Sequence, residues 1–110
     1  MSASERRKGK NGELEVVRLL HAHGWTDAKR SSDGRSQNER GDIADGPVGV
    51  HLEVRRRETV NVWACLAKAE AEAKPGDMPV VAFRRNRSPW YAALPLEILL
   101  GLLTRLGNDR

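Results

Sequence analysis

Apolar residues recur along this chain with two periods, and the switches between them lay out its elements. From about Lys10, Leu14, Val17 and Leu20, with Val16 and Leu19 one position off, form a helical stripe. Gly24 follows at a natural C-cap position. Glu13 and Glu15 lie in the first turns, where the helix dipole favours carboxylates. Trp25 to Ser31 reads as an extended segment, and Ser31 to Arg40, with no apolar residue, as a flexible loop. Asp42-Ile43-Ala44 reads as a short strand. Asp45-Gly46-Pro47 is a turn signal, and Val48 to Arg56 alternates, so the two runs are predicted to pair as a hairpin. Val60 to Ala73 is helical by propensity and is broken at Lys74-Pro75-Gly76-Asp77. Pro79 to Phe83 is a continuous apolar run that predicts a buried strand; Arg84 to Ser88 is a basic turn, and Trp90 to Leu94 a further strand. Pro95 to Leu106 predicts a final helix with Leu96, Leu99, Leu100, Leu103 and Leu106 on one face, and Pro95 near its first turn.

This pattern predicts an α/β fold: a central mixed five-stranded sheet flanked by helices, in the order αβββαββα. Residues 1–110 read as one domain, with residues 1–8 a polar, basic, mobile arm. The last helix is apolar over more than one face. A small domain can bury only one such face in its own core, so the remainder suggests an interface.

Composition narrows the class. With 39% hydrophobic and 31% charged residues over 110 positions, the chain is too apolar for a disordered segment and large enough for one modest core. A net charge of +4 and a pI near 9.7 favour a polyanionic partner, nucleic acid above all. The single cysteine, Cys65, excludes an intrachain disulfide and a Cys-based zinc site; it reads as a small core or interface residue. His21, His23 and His51 have no partner at a zinc-motif spacing. No apolar run approaches membrane-spanning length and the N-terminus lacks the apolar core of a signal peptide, so no membrane partner and an intracellular, cytoplasmic location are expected.

The candidate chemistry lies between Asp42 and Arg55. Residues i and i+2 of a strand share a face, so Glu53 and Arg55 point one way and Val48, Val50, Leu52 and Val54 the other. Asp42 falls near the start of the neighbouring strand, and Glu13 lies on a helix that could pack against the same sheet. Phosphodiester hydrolysis needs this combination: carboxylates hold a hard cation that activates water, and a nearby cation stabilises charge growing on the phosphate. Arg55 can do the second job but cannot act as a base, because a guanidinium stays protonated. His51 shares the face of Glu53 and either lines the site or is an ordinary polar strand residue.

Clustered arginines supply candidate phosphate contacts: Arg6, Arg7, Lys8 and Lys10 before the first helix, Lys29, Arg30 and Arg35 around the polar loop, and Arg55, Arg56 and Arg57 at the end of the third strand, with Arg84, Arg85 and Arg87 in a turn. Of the aromatics, Trp63 on the Ala-rich helix is expected to be packed rather than stacked on a base.

Several segments, in order, resemble the archaeal and phage Holliday-junction resolvases of the PD-(D/E)XK nuclease superfamily. They are Arg7-Lys8-Gly9-Lys10-Asn11-Gly12-Glu13-Leu14-Glu15, Arg30-Ser31, Gly41-Asp42-Ile43, Leu52-Glu53-Val54-Arg55-Arg56 and Pro79-Val80-Val81-Ala82-Phe83-Arg84. The phage-type branch fits best, through Glu58, Trp63, Lys68-Ala69 and the Trp90 strand. The resemblance implies a restriction-endonuclease-like fold and a homodimer with two active sites that makes paired, near-symmetric nicks in four-way DNA junctions. It implies Glu13, Asp42 and Glu53 as ligands of magnesium or manganese and as catalytic residues with Arg55, and a serine-bearing loop around Ser31 and Ser32. The chain departs from the family at Arg55, where the family has lysine. Three other readings remain beside this one: a nuclease for flaps, mismatches or linear ends, a non-catalytic DNA-binding module, and an RNA-binding protein.

Overall fold

The computed structural model describes residues 3–33 and 39–108. Its elements are helix α1 (Ala3–Ala22), strands β1 (Lys29–Arg30), β2 (Glu39–Arg40), β3 (Ile43–Ala44) and β4 (Val50–Arg56), helix α2 (Val62–Glu72), strands β5 (Met78–Arg84) and β6 (Tyr91–Ala93), and helix α3 (Leu96–Asn108). Residues 3–8, expected as an arm, are the opening turns of α1, exposed except for the half-buried Lys8.

The strands form two three-stranded sheets, β1-β3-β2 and β4-β5-β6, where the sequence suggested a single sheet of five. The two meet at one parallel bridge, Gly41 to Leu52. The predicted hairpin between the Asp42 strand and β4 does not form. Instead β2 and β3 fold back on each other, with Arg40 opposite Ile43. Gly41 makes that turn possible. Its φ is 77°, and a Cβ there would strike the Leu52 carbonyl and lie 3.1 Å from His51 Nε2. The link from β3 to β4 then runs through Asp45 and Gly49, both at positive φ, so it is a wide loop instead of a tight hairpin turn. As a result the Asp42 N–H donates to the Leu52 carbonyl at 2.8 Å, and Asp42 lies at the open edge of β4.

The other edge of β4 pairs in parallel with β5, Glu53 opposite Val81, with α2 as the crossover. Asn61 caps α2 by accepting from the Ala64 N–H at 3.0 Å. Strand β6 pairs antiparallel with Val81–Phe83 only, so Pro79 sits where β5 has a single partner strand.

Parallel strands are commonly covered on both faces, and β4 is. Leu52 and Val54 join Val16 and Val17 of α1, Ala28 and Ile43 in the core, with Trp90 packed against it. On the opposite face, His51 and Glu53 lie beneath α2, whose Ala69 is fully buried. Glu15 of α1 ties the first face together, with Arg84 at 2.6 Å and Arg56 at 3.0 Å. Arg84 in turn stacks over Trp90 at 5.9 Å.

Helix α3 behaves differently. None of its residues is buried, although its leucines line up as predicted. Trp63 also departs from expectation: it is 85% exposed, because α2 turns its Ala69 side to the sheet and its Trp63 side to solvent. Val48 is likewise exposed, in the loop before β4. No helix among the described residues is long and apolar enough to cross a membrane.

Candidate active site

Glu53 is the pivot of the site. Its side chain is 1% exposed, on the β4 face that α2 covers. A buried carboxylate is costly unless paired, and this one is paired on both oxygens. Oε1 lies 2.9 Å from Nε2 of the buried His51, two residues back on the same face. Oε2 accepts from Arg55 at 3.3 Å and has the Lys68 ammonium of α2 at 3.5 Å. Burial alone would raise its pKa. The hydrogen bond from His51 and the charges of Lys68 and Arg55 outweigh that and hold it below the usual carboxylate range.

Asp42 approaches from the β2–β3 turn. Its Oδ2 accepts from the Val54 backbone N–H at 2.8 Å and from Arg55 at 3.1 Å. Burial raises its pKa, the Val54 N–H opposes this, and the nearby Glu53 charge adds to the rise. Arg55 therefore forks between the two carboxylates, and donates to the Val54 carbonyl at 2.7 Å as well. Burial would lower its pKa, but the facing Asp42 and Glu53 charges raise it, so it stays a cation.

Glu13 completes the group from α1. It takes a 2.8 Å hydrogen bond from Arg30 of β1. Burial raises its pKa against that bond, and the Asp42 charge raises it further; Arg30 and Arg55 pull it down. Glu13 thus feels the charge of Asp42, and Asp42 that of Glu53, along a chain of acids supplied by a helix, a turn and a strand. Ser31 braces the turn: its hydroxyl donates to the Gly41 carbonyl at 2.9 Å, and its N–H to the Asp42 carbonyl at 3.0 Å.

Two participants lay outside the sequence reading of the carboxylate group. Lys68 entered only through resemblance, and Glu72 not at all. They sit one turn apart on α2, so they share a helix face. His51, Glu53 and Glu72 present ligand atoms within 4.8 Å of one another and could hold a metal ion. The signal was the i, i+4 spacing of Lys68 and Glu72 around the buried Ala69, meaningful only once α2 is known to cover β4.

The predicted phosphate contacts divide. Arg6, Arg7, Lys10 and Arg57 are exposed, and Lys8 is half-buried beside them on α1. Arg30 and Arg56 carry ion pairs to Glu13 and Glu15, and Lys29 lies 4.0 Å from Asp45. Ser32 is exposed, and Arg35 lies outside the described residues.

No protein-family model and no curated protein sequence matches the chain. A solved structure does: Hjc of Archaeoglobus fulgidus, a Holliday junction resolvase from an archaeal hyperthermophile. It is 21% identical, with a TM-score of 0.50, over 83% of this chain and 75% of that one. The class this defines is a mixed α/β fold similar to that of the archaeal protein. At this identity the likeness concerns the fold.

Proposed function

We propose that this chain is a metal-dependent, structure-selective DNA endonuclease that acts on four-way (Holliday) junctions by paired symmetric nicks. The observation that carries the reading is the convergence of Asp42, Glu53 and Arg55 at one edge of β4, with Glu13 beside them. The likeness to a resolvase fold supports it.

The donors fit a hard divalent ion. Asp42 Oδ2 and Glu53 Oε2 both reach the same guanidinium, so they flank one small space, and both are carboxylate oxygens. Asp42, Glu53 and Glu13 would hold magnesium or manganese by this reading; the set whose ligand atoms lie within 4.8 Å of one another among the described residues is His51, Glu53 and Glu72, which share Glu53 with it. A bound ion supplies an acidified water and neutralises phosphate charge. The protein's own groups do the rest. His51 and Lys68 keep Glu53 ionised and oriented. The Val54 N–H fixes Asp42. Arg55 and the exposed cations of α1 and Arg57 would hold the phosphates, which gives affinity without sequence readout.

Helix α3 would supply the homodimer. Its Leu96, Leu100, Leu103 and Leu106 are at least half exposed, and a second copy would cover them and set two sites in two-fold relation, matching a nearly two-fold junction. A second reading, a non-catalytic DNA-binding protein of the same fold, draws on the fork itself, because Arg55 already pairs with both carboxylates.

Nicking of a synthetic four-way junction in magnesium, compared with flap and linear duplexes, tests the reading. Asp42→Asn and Glu53→Gln are expected to abolish cleavage and retain junction binding. Full activity of both variants refutes the assignment, and binding without cleavage by the unaltered protein favours the second reading.

A further inference from the structure

Arg55 makes three contacts at once: Asp42 Oδ2 at 3.1 Å, Glu53 Oε2 at 3.3 Å and the Val54 carbonyl at 2.7 Å. All three acceptors are hard oxygens around one space, and a guanidinium fills it. We propose that Arg55 is a built-in counter-ion in the position a divalent cation would take, so that the cation binds only by displacing it and Arg55 turns to a DNA phosphate once displaced. This rests on the reading of Asp42 and Glu53 as ion ligands.

The argument is one of space and charge. Magnesium or manganese needs its oxygen ligands about 2.0–2.2 Å away, a shell that leaves no room for two N–H donors on the same oxygens. A guanidinium cannot escape by losing its proton, so ion and arginine repel at contact distance. Lys68 is different. It approaches Glu53 alone, at 3.5 Å, with its side chain 48% exposed, and can move aside without vacating the space between the carboxylates. Displaced from its carboxylates, Arg55 keeps its planar donor fork, and a phosphate accepts that fork bidentately. Linkage then makes the effect reciprocal: DNA that holds Arg55 outward tightens the ion, and the ion tightens DNA.

The test is manganese uptake by the full chain without DNA, read from the free-ion electron paramagnetic resonance signal. Arg55→Gln is expected to bind manganese about tenfold or more tighter than the unaltered protein, because a contact charge is removed. Arg55→Lys keeps the charge but cannot span both carboxylates, and is expected to tighten binding by about threefold or more; it also serves if Arg55→Gln fails to fold. Lys68→Gln removes a charge beside Glu53 without opening the space, and is expected to change affinity by less than about threefold. Asp42→Asn abolishes the uptake. The proposal is overturned if Arg55→Lys matches the unaltered protein, if Lys68→Gln tightens binding as much as Arg55→Gln, or if uptake survives in Asp42→Asn. Uptake by none of the proteins overturns it together with the ion-ligand assignment. The nuclease reading fails separately: the Arg55 series behaving as described while no junction is nicked leaves the displacement standing and removes the enzyme.

Discussion

Strand β4 and helix α3 break the burial rule in opposite directions. In β4, Glu53 is 1% exposed and His51 4%, while in α3 Leu96 is 66% and Leu106 57% exposed. Both arrangements cost free energy, since desolvating a carboxylate costs several kcal/mol and leaving a leucine in water forgoes roughly 1.5–3 kcal/mol. The strand's debt is settled inside the chain. His51, Arg55 and Lys68 surround Glu53 and leave its pKa below the ordinary value, so the ionised form is favoured in spite of burial. Among the described residues nothing comparable covers α3, which buries none of its residues. A buried charge with internal partners marks a site, and an uncovered apolar helix marks a surface that a second chain would complete.

The largest effect is expected where the internal compensation is removed. Glu53→Ala takes the acceptor from the buried His51 and one of three from the partly buried Arg55, and leaves a space between them. Breaking a buried pair this way costs about 3–5 kcal/mol, to be measured by urea unfolding. A loss under about 1 kcal/mol would mean that water already reaches Glu53, and the contrast with α3 would vanish. The complementary experiment is Leu99→Lys with Leu103→Lys. If the proposed homodimer forms through α3, the double variant is expected to be a monomer in sedimentation runs while changing monomer unfolding by less than about 1 kcal/mol, as for exposed positions generally. A loss of several kcal/mol in the monomer would show α3 packed on its own body.

A smaller effect sharpens the electrostatic side. Glu53 and Asp42 have opposite shifts, so they pull stability in opposite directions with pH. Glu53 lies below its ordinary value of 4.5, so its contribution is full above that pH and is lost as pH falls through its folded value. Asp42 lies above its ordinary 3.8, pushed there by burial and then by Glu53, so its ionised form costs stability at neutral pH and the cost fades as pH falls through its raised value. Asp42→Asn is expected to raise the thermal midpoint in EDTA at pH 7 by roughly 2–4 °C, with the gain shrinking toward pH 4. A gain independent of pH would place its cause outside the carboxylate.

The legibility of the chain follows the same division. The shared face of Glu53 and Arg55 was readable because a strand has period two, and the structure bonds them. Helices α1, α2 and α3 and strands β4 and β5 were readable from periodicity and from Gly and Pro at their ends. Strand β1 falls within the extended segment Trp25 to Ser31, whereas β2 was not readable, since its two residues end the polar run read as a loop and carry no period. The false hairpin came from treating Asp45-Gly46-Pro47 as a tight turn, when the tight turn lies earlier, at Gly41. Lys68 and Glu72 could not be placed at the site from spacing alone, because a sequence shows that they share a helix face but not what that face covers.

Trp63 provides the smallest and most diagnostic measurement. Its apolar neighbours suggested packing, yet at 85% exposure it has little to lose on truncation. Trp63→Ala is therefore expected to change unfolding free energy by less than about 0.5 kcal/mol. If the residue stacks on an unpaired base at a junction's branch point, the same variant should weaken junction binding by about 1–3 kcal/mol and leave duplex binding unchanged. If instead both affinities are untouched and self-association falls, Trp63 belongs with the leucines of α3 as part of a surface completed by another chain. The two outcomes sort this exposed aromatic between the DNA-facing and the partner-facing halves of the comparison.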